Sequence, residues 1–196
     1  REPAPGRREY FNPADVEVEL GPDNTRRGAI LVTDNQPVEW DGLGTMSKSK
    51  NNGVDPQVLV EKLGADTVRL FMMFTAPPEQ TLEWSEEGVQ GAYRFIRRLW
   101  KAVYEHVQAG AAPVIAVNEL DAAQKSLRRL AHGTLAKVTD DIGRRRTFNT
   151  AVAAVMELLN AVGRFDAQAP QSRAVVREAL EIAVMCLSPI IPHVTH

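Results

Sequence analysis

Gly44-Thr45-Met46-Ser47-Lys48-Ser49-Lys50-Asn51-Asn52-Gly53-Val54-Asp55-Pro56 divides this chain into two differently patterned parts. Before it, apolar and polar residues alternate as in short strands. After it, apolar residues recur every three or four positions, as in helices. The pattern predicts an α+β protein, mainly α: a small β-rich module, then a polar loop, then an antiparallel α-helical bundle. The loop holds two lysines and two serines and ends at Asp55-Pro56, a helix cap followed by proline at the first helical position. A basic loop running into a helix suits a polyphosphate. Serine hydroxyls and backbone N–H groups donate to phosphate oxygens, and a lysine supplies a mobile charge. The plain alternative is a solvated connector, which short Ser/Lys-rich matches often are.

Upstream, Val16-Glu17-Val18-Glu19-Leu20 alternates as a half-buried strand should, and Gly21-Pro22-Asp23-Asn24 reads as a turn. Ala29 to Thr33 gives a second strand, Asp34 to Pro37 a second turn, and Val38-Glu39-Trp40 a third short strand. Tyr10, Phe11 and Trp40 are the aromatics available to staple one face. So few short strands bury little by themselves.

Downstream, residues 55–76 read as two short helices joined at Gly64, which stands as the C′ residue of the first. The first carries Val58, Leu59 and Leu63. Asp66 is the expected cap of the second, with Met72, Met73, Phe71 and Phe74 as core. Pro77-Pro78 stops it. Ser85 caps a long helix with Val89, Ala92, Tyr93, Ile96, Leu99, Trp100, Val103, Tyr104 and Val107 on its apolar face, and Gly88 is a local weakness in it. A second long helix starts near Asp121, carries Leu127, Leu130, Leu135, Val138 and Ile142, and ends at Gly143. Phe148 to Val162 forms a third. Ser172 is the expected cap of a fourth, which Pro189 ends, and a fifth begins at the terminus. Short connections predict an antiparallel bundle.

Composition narrows the functional classes. The 196 residues are 44% hydrophobic and 24% charged with a net charge of −2, so contact with nucleic acid must come from local basic patches. The single cysteine, Cys186, excludes an internal disulfide and fits a reducing cytoplasm. No membrane-spanning run is visible. His106, His132, His193 and His196 lack metal-ligand spacing with it, so no metal site is expected. The chain opens and closes in mid-sequence and reads as a piece of a longer protein.

Met46-Ser47-Lys48-Ser49 resembles the "KMSKS" signature of class I aminoacyl-tRNA synthetases. Its continuation, Lys50-Asn51-Asn52-Gly53-Val54-Asp55-Pro56-Gln57 and then Gly64-Ala65-Asp66-Thr67-Val68-Arg69-Leu70-Phe71-Met72-Met73-Phe74, is similar to the bacterial leucyl-tRNA synthetases. The isoleucine and valine relatives usually have a Leu-Gly-Asn-like tripeptide at Lys50-Asn51-Asn52. Thr45 departs from the family pattern, which has a lysine there. The resemblance implies three parts: residues 1–44 as a leucine-specific-insertion-like module, 45–84 as the signature loop with stem-contact helices, and 85–196 as a bundle of the anticodon-binding-domain type. It implies an enzyme that activates leucine with ATP and magnesium to leucyl-adenylate and transfers leucine to tRNA(Leu) in the cytoplasm, with no obligate protein partner. Met46, Ser47, Lys48 and Ser49 would bind ATP, and Lys48 would stabilise the departing pyrophosphate. The "HIGH" signature and the nucleotide-binding sheet are absent, so this stretch alone is expected to be inactive.

Candidate tRNA contacts are the cations on helical faces. Arg94, Arg97, Arg98 and Lys101 stand at i, i+3, i+4 and i+7. Lys125, Arg128 and Arg129 start a similar face. Arg144 and Arg145, with Arg146, mark the turn between the second and third long helices. Such groups bind phosphates without reading bases. Opposite an apolar stripe they can equally be a solvated face, and Asp140 and Asp141 stand ready to pair with the triplet. Two other functional classes stay open: an isoleucyl- or valyl-type synthetase, and a helical RNA-binding or scaffold module without chemistry of its own.

Overall fold

The computed structural model describes residues 9–23, 26–39 and 44–196. The chain forms two compact units, Arg1–Pro56 and Gln57–His196.

In the first unit a single turn, Pro13–Asp15, leads into β1 (Val16–Leu20), which pairs antiparallel with β2 (Arg26–Leu31). Val16 lies opposite Leu31 and Val18 opposite Ala29, and the register slips between Glu19 and Leu20. The period-two pattern does what it should: Val16 and Val18 are half-buried, while Glu17 and Glu19 face solvent. The expected third strand is reduced to one bridge, Ile30 with Pro37. Asn35 turns the chain in the left-handed region (φ 56°), and the bridge is closed by Leu31 N–H to the Gln36 carbonyl at 2.9 Å and Val38 N–H to the Ala29 carbonyl at 2.8 Å. Tyr10 and Phe11 are exposed rather than stapling a face. Trp40 and Asn24 lie outside the described residues.

The second unit is all helix. Pro56 opens α1 (Pro56–Leu63), and Gly64, with φ 85°, turns the chain into α2 (Ala65–Thr75). Then come α3 (Glu86–Gln108), α4 (Ala122–Asp140), α5 (Phe148–Arg164), α6 (Pro170–Leu187) and the short α7 (Pro192–Thr195). Helix α4 packs on both α5 and α6, and α2 packs on α3. The core centres on Leu99, Val152, Leu158, Val175, Leu187 and Ile191, with Leu70 and Phe71 from α2. Cys186 is buried within it, as a small apolar residue would be.

Capping follows the sequence at two helices. The Ser85 hydroxyl accepts from Gly88 N–H at 3.1 Å. Asp121 and Gln124 form a reciprocal capping box at α4. At two others a core position takes precedence over the cap. Asp66 is the second residue of α2 and reaches α7, accepting from Val194 N–H at 2.8 Å with His193 Nδ1 3.1 Å away. Ser172 is buried and accepts from Gln124 Nε2, linking α6 to α4, while Pro170 starts α6. Arg69 holds the segment between α6 and α7, donating to the carbonyls of Ile190 and Pro189 at 2.8 and 3.1 Å.

Several apolar stripes are wider than their burial. Val58, Met72 and Phe74 are exposed, and Leu130 and Leu135 sit near the surface. On α3 the fully buried positions stop at Leu99, and Trp100, Tyr104 and Val107 are more than half exposed. Gly88 is no weakness. A Cβ there would lie 2.8 Å from the Phe71 ring, which is itself buried edge-on against Trp84. Gly133 in α4, by contrast, faces open space.

The two glycines therefore predict opposite outcomes for the same change. Gly88→Ala gains about 1 kcal/mol of helix propensity but forces a packed ring to move, costing about 1–3 kcal/mol. Gly133→Ala keeps the propensity gain. In urea denaturation Gly88→Ala should lower the midpoint and Gly133→Ala should raise it. A Gly88→Ala midpoint above that of the parent would show that Phe71 is free to move.

Candidate functional site

The loop after Gly44 is held by its own side chains. Ser47 is extended (φ −149°, ψ 148°), and Lys48–Lys50 make one 3-10 turn. The turn ends at Asn51 in the left-handed region (φ 48°, ψ 25°), where asparagine is among the few residues tolerated besides glycine. The Ser47 hydroxyl accepts from Lys50 N–H at 3.3 Å and lies 3.2 Å from the Ser49 hydroxyl. Whichever serine donates within that pair, one hydroxyl proton is left for an external oxygen. Lys48, Ser49 and Lys50 are exposed, and neither lysine has an ion pair among the described residues. Met46 is half-exposed. Thr45 contributes its carbonyl, which accepts from Asn52 Nδ2 at 3.2 Å. Asn52 also accepts from Ser47 N–H at 2.7 Å. Its importance was not apparent from the signature match, which stops at Ser49. An asparagine just after a turn is the available signal.

The candidate cations on α3 are all exposed but not equally free. The Arg97 guanidinium lies over the Tyr93 ring at 5.8 Å and that of Arg98 over Phe95 at 5.7 Å, contacts that orient a cation without neutralising it. Lys101 pairs with Glu105 at 3.6 Å. Arg94 has no ion pair among the described residues. On α4, Arg128 is taken by Glu178 of α6 at 2.8 Å, whereas Arg129 lines a shallow groove with Gly133, Lys137 and Glu157.

The arginine triplet sits at a corner. Gly143 does not end α4. The helix widens into a π-turn, Asp141–Arg145, which closes at Arg146 in the left-handed region (φ 58°). Asp141 is 1% exposed and accepts from Lys137 Nζ at 2.7 Å, Thr150 Oγ1 at 2.6 Å and Arg145 Nη1 at 3.2 Å. Arg144 holds Asp140 with two bonds, at 2.6 and 3.0 Å. Arg144 and Arg145 are therefore paired, and Arg146 is the member without an ion pair among the described residues. Burial pushes the Asp141 carboxyl upward, but the bonds from Lys137 and Thr150 outweigh it and hold the group below the usual carboxylate range. At Glu178 burial likewise pushes the carboxyl upward, and the bonds from Arg128 and His132 outweigh it and hold the group below its usual range.

Comparison with known proteins sets the loop within a family match. The family "tRNA synthetases class I (I, L, M and V)" matches residues 38–85, and "Anticodon-binding domain of tRNA ligase" matches residues 124–196. A leucine–tRNA ligase from Chromohalobacter salexigens is 58% identical over 191 residues, covering 97% of this chain and 22% of the relative. One from Marinobacter nauticus is 58% identical over the whole chain, 23% of its own length. The chain belongs to the class I tRNA synthetases, in their leucine branch. It spans between a fifth and a quarter of the length of these leucine-branch relatives. Among solved structures, the agnB2 LeuRS of Agrobacterium radiobacter K84, described as a LeuRS–tRNA–LeuAMS ternary complex, matches with a TM-score of 0.67 and 27% identity. That match covers 76% of this chain and 20% of the other. A Mycobacterium tuberculosis methionyl-tRNA synthetase in complex with methionyl-adenylate matches at 0.58 and 25%, covering 75% of this chain and 33% of the other. The bundle is thus shared across class I branches.

Among the described residues no helix is long and apolar enough to cross a membrane, and no cluster of three acidic, His or Cys side chains could hold a metal.

The depressed carboxyls of Asp140, Asp141 and Glu178 set the acid limit of this leucine-branch bundle. A carboxyl whose pKa is lowered on folding adds stability above its unfolded value, about 4. That contribution is lost as pH falls through the folded value. Urea midpoints should therefore be flat above about pH 5 and drop steeply below about pH 4. Asp141→Asn should lower the plateau by about 1–3 kcal/mol, since the half-exposed Lys137 and Arg145 keep their water. It should also flatten the acid drop. An acid drop of unchanged depth in Asp141→Asn would place the titrating group elsewhere.

Proposed function

We propose that this chain is the signature-loop and tRNA-gripping part of a leucine–tRNA ligase. The observation that carries the proposal is the exposed Lys48, set on a serine-lined turn, within a chain 58% identical to leucine–tRNA ligases along its whole length. In the full-length enzyme the leucine carboxylate oxygen attacks the α-phosphorus of ATP. The bond to the bridging oxygen breaks and pyrophosphate leaves, giving leucyl-adenylate. Negative charge moves onto the leaving group, so an ammonium beside it gains most in the transition state. Lys48 supplies that ammonium. The spare proton of the Ser47–Ser49 pair supplies a hydrogen bond. Among the described residues no cluster of acidic side chains would hold the magnesium that would accompany ATP in the full-length enzyme.

We assign residues 1–44 to an insertion-like module, 45–84 to the loop and stem-contact helices, and 85–196 to the tRNA-facing bundle. The enzyme's place is the cytoplasm, where the one cysteine stays reduced. The cations Arg94, Arg97, Arg98 and Lys101 on α3, and Arg144 and Arg145 at the corner, are the tRNA-facing set. Their pairing ranks them, with Arg94 foremost and Arg146 added as the free member of the triplet. A scaffold reading lacks any use for the exposed loop.

In the full-length enzyme Lys48→Ala should slow leucyl-adenylate formation by about 10²–10³, by analogy with the loss of one oxyanion donor. Its melting temperature should stay unchanged. Rapid-quench measurement of adenylate formation checks this, and a loss confined to ATP affinity would refute the role. For tRNA(Leu), Arg94→Ala and Arg146→Ala should each reduce the slope of log affinity against log salt by about 0.7–0.9. Arg144→Ala should change it less, because Arg144 is already neutralised by Asp140. Equal slopes for all three variants would sink the ranking.

A further inference from the structure

Lys48 can act on a leaving phosphate only if the turn that carries it stands in one place. The backbone of that turn holds it weakly. Its two internal bonds, Lys50 N–H to Ser47 carbonyl and Asn51 N–H to Lys48 carbonyl, are long at 3.2 and 3.3 Å. Side chains supply the rest, and one residue supplies the shortest bond. Asn52 Oδ1 accepts from Ser47 N–H at 2.7 Å, and Asn52 Nδ2 donates to the Thr45 carbonyl at 3.2 Å. One planar amide thus ties the segment entering the turn to the segment leaving it. The two partners also determine which way the amide points. Turned over, its NH2 would meet the Ser47 N–H and its oxygen the Thr45 carbonyl. Asn52 is half-buried, so these bonds are partly sheltered from water, while Lys48 stays exposed.

We infer that Asn52 is a positioning residue for leucine activation: its side-chain amide clamps the turn and so places the Lys48 ammonium and the Ser47–Ser49 hydroxyls for the departing pyrophosphate. The inference rests on the role proposed for Lys48. It assigns Asn52 no contact with ATP. Its effect passes through the turn, and so it should vanish once Lys48 is gone. The clamp uses the carbonyl of Thr45, not its side chain, so a lysine at that position is compatible with it.

The test uses the full-length enzyme and rapid-quench adenylate formation. Asn52→Ala should reduce the rate constant on the order of tenfold or more, since an ångström of misplacement can cost a hundredfold. The apparent ATP affinity should change less than threefold. Asn52→Asp should be similarly slow, because a carboxylate can accept from Ser47 N–H but repels the Thr45 carbonyl. The double variant Asn52→Ala/Lys48→Ala should be no slower than Lys48→Ala alone, within about twofold, because groups acting as a unit are non-additive. Amide hydrogen exchange in residues 45–50 should quicken in Asn52→Ala while the melting temperature is unchanged.

The outcomes separate the two claims. If Lys48→Ala slows the step and Asn52→Ala does not, the clamp is wrong and the loop's role stands. If the two losses multiply in the double variant, Asn52 acts by another route and the inference falls. If Lys48→Ala itself is silent, the role of the loop falls and the clamp falls with it. A loss in Asn52→Ala that appears only as weaker ATP affinity would likewise overturn it, since it would make Asn52 a binding contact.

Discussion

A carboxylate cut off from water must be given partners by the protein, and two such groups organise the helical unit. Asp141 is enclosed at the end of α4, where Lys137, Thr150 and Arg145 converge on its two oxygens. Its own carbonyl also accepts from Thr147 N–H at 2.9 Å. An unpaired charge there would cost several kcal/mol. The chain meets that demand by widening α4 into a π-turn and swinging through Arg146 into α5. Asp66 does the corresponding work at the other end, where α7 is held by its N–H bond to this carboxylate and the α6–α7 connector is held by Arg69. Helix packing supplies most of the stabilisation. The buried carboxylates determine where the packed helices turn.

That constraint has a consequence for RNA contact. Arginines recruited to satisfy acids at a corner are no longer free for phosphates. Arg144, Arg145 and Arg128 belong to the fold in this sense, because each faces a carboxylate within 3.2 Å. Arg94 and Arg146, without ion pairs among the described residues, present their charge to solvent. The loop follows the opposite strategy: its polar groups bond to each other and leave the two lysines uncommitted. A site that must neutralise transient charge works best when its cation is not already neutralised.

Much of this was legible in the residues. The strand alternation of Val16 to Leu20 matches β1 residue for residue, Ser85 and the Asp121–Gln124 pair cap their helices, and Pro56, Pro77 and Gly64 punctuate as local sterics require. These are short-range effects, settled within four residues of chain. The misreadings share a different cause. Asp66 and Ser172 look like caps because capping is their commonest local use, yet each is taken by a partner far away in sequence. Gly88 looks like a flaw until Phe71 is placed against it. Trp100, Tyr104 and Val107 fit the apolar period of α3, but no element packs fully over that stretch. The third strand shrinks to the Ile30–Pro37 bridge, and Trp40 at its far end lies outside the described residues.

The sequence by itself determined the class of the protein, the order of its elements and the place of the signature-like loop, since periodicity, caps and the Met46–Ser49 match are local in the chain. It also determined that cations would be available on α3 and at the α4–α5 corner. The i,i+4 pairs of Arg144 with Asp140 and Arg145 with Asp141 are local as well, whereas only the tertiary structure decided that Glu178 takes Arg128, which polar residues serve the core, and that Asn52 closes the loop. Those outcomes depend on distances between residues remote in sequence or folded back across a turn, and on the cost of leaving a buried polar group unpaired. Neither quantity exists until the chain has folded.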